Sequence, residues 1–216
     1  MKWSRKAVLV TGAAGFIGKN LVKKLLDLNA HVIALDNLSL SPSFSYQSEC
    51  EFIRADVCDY RKLEGINEDI DIVFHLAAPS SVILFNRNPI GCFNTTIEGF
   101  LNILRFCMER EVKKLIYASS GSVYGNTPLP QSEDQEPKPV NLYGVAKLAL
   151  EKIASVYSDQ VESVGLRVFA GYGPGEEHKG EIASPIAIFL FAALKGEPLV
   201  IYLSLIHISE PTRPRL

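Results

Sequence analysis

Tyr143 and Lys147 stand four residues apart in a stretch, 142–157, whose apolar spacing predicts a helix, so a phenol and an ammonium share one face about a turn apart. A phenol with an ordinary pKa of about 10 is a poor base at neutral pH, and a neighbouring positive charge favours its phenolate form. Such a pair can take a proton from a substrate hydroxyl. Tyr/Lys pairs at this spacing are also common on exposed helix faces. What sets this one apart is its company: a hydroxyl cluster, Ser119-Ser120-Gly121-Ser122, at the carboxyl end of a predicted fifth strand, and a glycine pattern far upstream. In open α/β sheets, ligands bind at the carboxyl ends of the strands.

The glycine pattern is Thr11-Gly12-Ala13-Ala14-Gly15-Phe16-Ile17-Gly18, which follows an apolar run at 6–10 and opens a predicted helix at 15–28. Gly12 permits the tight turn, Gly15 lets the backbone approach a pyrophosphate, and Gly18 lets helix pack on strand. Phosphates then meet the N–H groups of the helix N-terminus. A turn made only for packing could carry glycines, but the strand–turn–helix setting is what dinucleotide binding requires. Asp36 closes the second strand, where its carboxylate can accept hydrogen bonds from both adenosine ribose hydroxyls and repel a 2′-phosphate. The predicted cofactor is therefore NAD rather than NADP. An Asp that only shapes the turn before Asn37 would leave that preference open. Asp56, just after the third strand, is placed to meet the adenine amino group.

Positioning these groups requires strands at 6–10, 31–35, 51–53, 72–76, 115–118 and 164–169, and helices at 15–28, 60–66, 89–110 and 142–157. The strands are nearly continuous apolar runs, the mark of strands buried on both faces of a parallel sheet. Strand–helix alternation with right-handed crossovers gives an α/β, doubly wound parallel (Rossmann) sheet. The polar segment 125–141 is long for a connection and is expected to act as an active-site lid. A further apolar stretch, 182–194, reads as a buried helix, with Ile186–Phe191 packing the core.

Composition narrows the function classes. The 216 residues carry 22 Lys+Arg against 24 Asp+Glu, a formal charge of −2. This balance leaves no electrostatic footprint for nucleic acid. The four cysteines show no paired spacing, which argues against structural zinc and a disulfide scaffold and for a reducing cytoplasm. The basic start followed by four apolar residues reads as a first strand rather than an export signal, and no run reaches the roughly twenty apolar residues of a membrane span. His75 lies in an apolar strand and reads as a core histidine, His31 as a surface residue. Glu176-Glu177-His178 reads as a solvated loop, so no metal is assigned. Cys92 and Cys107 read as small buried hydrophobes.

Taken with Asp36-Asn37, His75-Leu76-Ala77-Ala78, Ser119-Ser120-Gly121-Ser122-Val123-Tyr124-Gly125, Tyr143-x-x-x-Lys147, Leu166-Arg167-Val168-Phe169 and Gly171-Tyr172-Gly173-Pro174, the glycine run closely resembles the extended short-chain dehydrogenase/reductase family in its nucleotide-sugar epimerase and dehydratase branch. The likeness runs in order from residue 6 to 202. It implies that Tyr143 is the general base, that Lys147 orients the cofactor ribose and lowers the Tyr143 pKa, and that Ser120 bonds the reacting sugar oxygen. Gly12, Gly15, Phe16, Ile17, Asp36 and Asn37 would line the cofactor, together with Asp56, Val57, Ala77, Ala78, Phe169, Tyr143 and Lys147. Ser80, Ser81 and Ser122 would join Ser120 and Tyr143 at the sugar, although Ser80 and Ser81 could equally cap the loop.

The 4,6-dehydratases of the branch carry Thr-Asp-Glu where this chain has Ser120-Gly121-Ser122. The resemblance thus implies an NAD-dependent epimerase acting at C4 through a 4-keto sugar. Reductase, decarboxylase or dehydratase activity within the branch, or a non-catalytic NAD sensor, are its alternatives. The family's homodimers pair helices equivalent to 89–110 and 142–157. Two positions depart from the pattern: Thr96 and Ala170 stand where relatives have Asn.

Three regions are expected: an NAD-binding domain at 1–169, the start of a substrate lobe at 170–202, and residues 203–216. After Tyr202 relatives continue with Gly-Asp-Gly, whereas 203–213 match the translation of a transposase adapter used in sequencing libraries. The expectation is a non-native tail on a truncated, inactive chain. A short amphipathic strand is the competing reading.

Overall fold

The computed structural model describes residues 3–199, so the expected tail at 203–216 and the last residues of the expected lobe lie outside the described residues. The chain divides into two compact units, Met1–Gly171 and Tyr172–Leu216.

The first unit runs β1 (Ala7–Thr11), α1 (Phe16–Asp27), β2 (His31–Asp36), β3 (Glu51–Arg54), α2 (Tyr60–Glu64), β4 (Ile72–His75), α3 (Val82–Arg87), α4 (Pro89–Glu109), β5 (Lys114–Ser120), α5 (Leu142–Val156) and β6 (Ser163–Val168). All six strands are parallel, in the order β3-β2-β1-β4-β5-β6. The order reverses between β1 and β4, which opens a crevice at the carboxyl ends of these two strands.

Alternation along β1 sends Leu9 to one face and Val8 and Val10 to the other. Leu9, Ile33, Leu35, Val73 and Leu115 pack against Phe100, Ile103 and Leu104 of α4 and Leu150 and Ala154 of α5. On the opposite face Val8, Val10, Val32 and Ala34 pack against Val22 and Leu25 of α1 and against Phe44. Phe100 is fully buried, and its truncation to Ala would cost about 3–5 kcal/mol.

Burial on both faces holds for β1, β2 and β4 but not for the two edge strands. β3 has no buried residue, and Val164 and Leu166 of β6 are exposed. Among the described residues each has a ladder partner on one side only, and an apolar sequence there does not bring burial with it. The sequence reading also passed over α3, a six-residue helix too short for a periodic pattern.

The second unit contains α6 (Pro185–Lys195), capped by Ser184 and ended by Gly196 at φ 69°. The stretch 182–194 was expected to be buried, and the structure corrects this. Only Ala187 of α6 is buried, while Ile186, Leu190 and Leu194 stand exposed. Apolar residues all round a helix signal burial only when a partner layer exists, and no layer among the described residues covers these three. The solvated reading of Glu176 is corrected as well. This carboxylate is fully buried and accepts hydrogen bonds from Ser184 N (2.7 Å), Ser184 Oγ (3.0 Å), Gly173 N (3.1 Å) and Lys179 Nζ (3.4 Å). Burial pushes its pKa up, and these bonds and the Lys179 charge outweigh that to hold it below the ordinary value. No helix among the described residues is long and apolar enough to cross a membrane.

Candidate active site

The turn between β1 and α1 is shaped by missing side chains. Gly12 has φ +70°, and a Cβ there would lie 2.6 Å from the Ala77 nitrogen. A Cβ at Gly18 would lie 2.0 Å from the Gly12 carbonyl, so helix and turn meet at a distance that only glycine allows. Gly15 is the N-cap of α1 and offers no side-chain cap. By contrast α3, α4, α5 and α6 start under Ser81, Asn88, Asn141 and Ser184, each of which accepts from a first-turn N–H. The N-terminus of α1 carries no side-chain cap and opens at the glycine turn, the kind of place where backbone N–H groups can meet a pyrophosphate. Ile17, in its first turn, is exposed.

Asp36 closes β2 beside this turn. Its Oδ2 accepts from Ala14 N at 3.0 Å and its Oδ1 from Leu38 N at 2.7 Å. The turn-shaping alternative is therefore realised, with both carboxylate oxygens held by backbone N–H groups at the end of β2. Asp56 Oδ2 accepts from Asn37 Nδ2 (2.8 Å) and its Oδ1 from Cys58 N (2.9 Å). Burial raises the Asp56 pKa, and these bonds more than reverse that, leaving it lowered. The side chain of the neighbouring Val57 lies in the core against Gly99 of α4, and its carbonyl accepts from Asn102 Nδ2. Ala77 and Ala78 follow β4 directly under Gly12, with Ala77 N donating to Thr11 Oγ1 at 3.4 Å.

At the other end, Ser120 terminates β5 and caps the 3₁₀ turn Gly121–Val123, accepting from Ser122 N at 3.1 Å. Ser120 also acts on the Tyr143 phenol in the sense that favours phenolate. The Tyr143 ring meets Phe85 of α3 edge-on at 5.4 Å. Lys147 is buried, and its Nζ donates to the Ala118 carbonyl at 2.8 Å and lies 5.9 Å from the centre of the Tyr143 ring. Burial pulls the Lys147 pKa down to about 8. Burial likewise raises the Tyr143 pKa, offset in part by Ser120. The expected lowering of the phenol by Lys147 is thus not the dominant effect, because the ammonium is spent on a carbonyl and the phenol sits in an apolar cluster with Phe85, Cys92 and Ala146.

Ser81 is the cap of α3, which realises the capping alternative, and Ser80 is exposed beside it. Phe169 is exposed, with its ring stacked on Tyr124 at 6.1 Å and against Gly121. His75 is a core histidine, as expected. Its Nδ1 and the Thr11 hydroxyl are 2.8 Å apart, its Nε2 has no partner, and burial lowers its pKa to about 3. Sequence reasoning missed Glu151, which follows Lys147 by one more step of four on the same helix face. It binds Ser119 and Arg167.

A glycine turn and a Ser–Tyr–Lys cluster on one carboxyl edge of a doubly wound sheet are the arrangement of the short-chain dehydrogenase/reductase enzymes. The profile of the NAD dependent epimerase/dehydratase family matches residues 8–208, and the chain belongs to that family. The residues around Gly12 and Asp36 fit the NAD on which the family depends.

A "Putative UDP-glucose 4-epimerase" of Methanocaldococcus jannaschii is 36% identical over 200 residues, covering 90% of this chain and 65% of that protein. The chain thus spans just under two thirds of that relative's length. Among solved structures, Thermotoga maritima UDP-glucose 4-epimerase with UDP-glucose superposes with TM-score 0.84 at 33% identity, covering 92% of this chain and 66% of that one. Thermus thermophilus UDP-glucose 4-epimerase in complex with NAD gives TM-score 0.75 at 32% identity, covering 89% and 64%.

Proposed function

We propose that the protein inverts a nucleotide sugar at C4 with NAD as a retained cofactor. The observation that carries this reading is the grouping of Ser120 at the end of β5 with Tyr143 and the buried Lys147 of α5, on the same sheet edge as the glycine turn. Gly12, Gly15, Phe16 and Ile17 hold the pyrophosphate end, Asp36, Asn37 and Asp56 the adenosine, and Ala77, Ala78, Lys147 and Phe169 the nicotinamide end. Bound NAD supplies a hydride acceptor and donor at the sugar carbon. Tyr143 takes the proton of the sugar 4-hydroxyl and returns it to the same oxygen once the ketone has been reduced on its other face. Ser120 donates to that oxygen and holds it against the phenol. Lys147, largely charged at neutral pH, keeps positive charge beside the site as the proton moves. Ser80 and Ser122 are the remaining hydroxyls offered to the sugar. The similarity to epimerases bound to UDP-glucose and to NAD supports this choice of substrate class. A second copy of the chain would pair through α4 and α5, where Leu101 and Val145 remain exposed. Light scattering checks that pairing.

The decisive experiment follows UDP-glucose and UDP-N-acetylglucosamine by chromatography of their C4 epimers with NAD in catalytic amount. Because the chain spans 65% of its relative's length, it is assayed alone and as a chimera completed with the relative's remaining residues. Epimer formation without net NADH supports the proposal. Stoichiometric use of the cofactor would instead indicate a one-way reductase or decarboxylase, and NAD binding without conversion in either form would overturn the reading.

A further inference from the structure

Three consecutive residues at the end of β5 each face one residue of α5. The Ala118 carbonyl accepts from Lys147, the Ser119 hydroxyl donates to Glu151, and Ser120 stands near enough to Tyr143 to favour its phenolate. Tyr143, Lys147 and Glu151 follow one another at steps of four, a stripe spanning about 12 Å of helix. The first two belong to the proposed reaction. Glu151 lies two turns from the phenol, yet it is the most heavily anchored of the three.

Arg167 supplies the anchor. Its Nε donates to Glu151 Oε1 at 3.0 Å and its Nη2 to Oε2 at 2.8 Å, a fork that fixes direction as well as distance. In the ladder between β5 and β6, Arg167 is paired with Ser119, so both donors to Glu151 come from one cross-section of the sheet. The pair is largely shielded, with side chains 19% and 18% exposed. The guanidinium also lies 4.7 Å from the centre of the Tyr124 ring, and its Nη1 donates to the Glu133 carbonyl in the segment 125–141. Apolar contact, which is non-directional, lets a helix turn and slide on a sheet. A two-pronged ion pair does not.

The geometry points to Glu151, clamped by Arg167 and Ser119, as a positioning residue that fixes the rotation and axial register of α5 and thereby the approach of Tyr143 and Lys147 to Ser120. Its consequence for turnover rests on the function proposed above. The clamp itself does not, and can be read without nucleotide or sugar.

Three variants test it: Glu151→Gln, Arg167→Lys, which keeps the charge and loses the fork, and the double replacement Glu151→Leu with Arg167→Met. Replacing a shielded ion pair by apolar residues of similar size is often neutral for stability. The readouts are the urea midpoint, the NAD dissociation constant and the 13Cζ resonance of Tyr143, assigned by its loss in Tyr143→Phe. In the double variant the midpoint is expected to match the parent, while the Tyr143 resonance moves and NAD binds about tenfold more weakly, a coupling typical of one hydrogen-bond network. Arg167→Lys and Glu151→Gln are expected to move the resonance in the same way. A parental resonance and affinity in a folded double variant would show that the pair serves stability alone and would overturn the proposal. Should the double variant unfold, a parental resonance in Arg167→Lys overturns it. A protein that epimerises nothing, but whose Tyr143 resonance still responds, refutes the function and leaves the clamp standing.

Discussion

Around Gly12 the chain leaves side chains out, whereas around Ser120 it packs them together. The nucleotide end is a backbone surface: a left-handed turn at Gly12, contact between Gly12 and Gly18 with no room for a Cβ, and a helix start with no cap of its own. The proton-transfer end is the reverse, with Ser120, Tyr143, Lys147 and Glu151 each tied to a neighbour and shielded under Phe85. The difference lies in what each can tolerate. The first end fails when an atom is added, and the second when one is taken away.

The largest effect should come from one removed oxygen. Tyr143→Phe is expected to lower epimer formation by about 10³-fold with NAD affinity nearly unchanged, read by conversion and by cofactor titration. Undiminished turnover would deny the phenol its role. The mirror experiment adds one carbon. Gly12→Ala must place a Cβ 2.6 Å from the Ala77 nitrogen at φ +70°, and should cost about 3 kcal/mol of stability in urea unfolding and abolish NAD binding. Ser122→Ala, a removal at the opposite end, should cost about 1 kcal/mol or less. Comparable losses for the two would erase the contrast.

Asp36→Asn should weaken NAD about tenfold and narrow its advantage over NADP, since the ribose loses a charged acceptor and the amide oxygen can serve only one of the Ala14 and Leu38 N–H groups. The most gradual effects are in pH dependence. His75 titrates near 3 when folded against 6.5 as its ordinary value, so the unfolded chain binds the extra proton and stability falls as pH drops from about 6.5 towards 3. Lys147 titrates near 8 when folded against 10.5, so the unfolded chain again holds the extra proton and stability rises with pH between these values. Each slope is at most about 1.4 kcal/mol per pH unit. His75→Leu should flatten the acid limb and Lys147→Met the alkaline one, measured as urea midpoints across pH. Unchanged limbs would show that these groups are not desolvated as described.

The backbone end was the more legible in sequence, because glycine spacing and an Asp at a strand end are local signals. So were the strands, whose apolar runs needed no knowledge of their neighbours. The centre was legible only in part. Tyr143, Lys147 and Ser120 could be named, but Glu151 acquires meaning only when Arg167 is brought beside it by the β5–β6 ladder. The core contact of Val57 was illegible for a related reason, since its neighbour across the fold, Gly99, is distant in sequence. Exposure was read least well. The same apolar composition is buried in β1 and open in β6 and α6, because burial is decided by the layer above and not by the segment itself.

The three residues of β5 that hold α5 bear on how such a protein can change over evolutionary time. In the proposed reading Ala118, Ser119 and Ser120 hold the reacting group within one strand–helix pair, so the loops at 80–81 and 125–141 can vary wherever they do not hold that pair, as Ser81, Glu133 and Asn141 do. A lineage could exchange one sugar for another by rewriting those loops, and inherit the reaction intact.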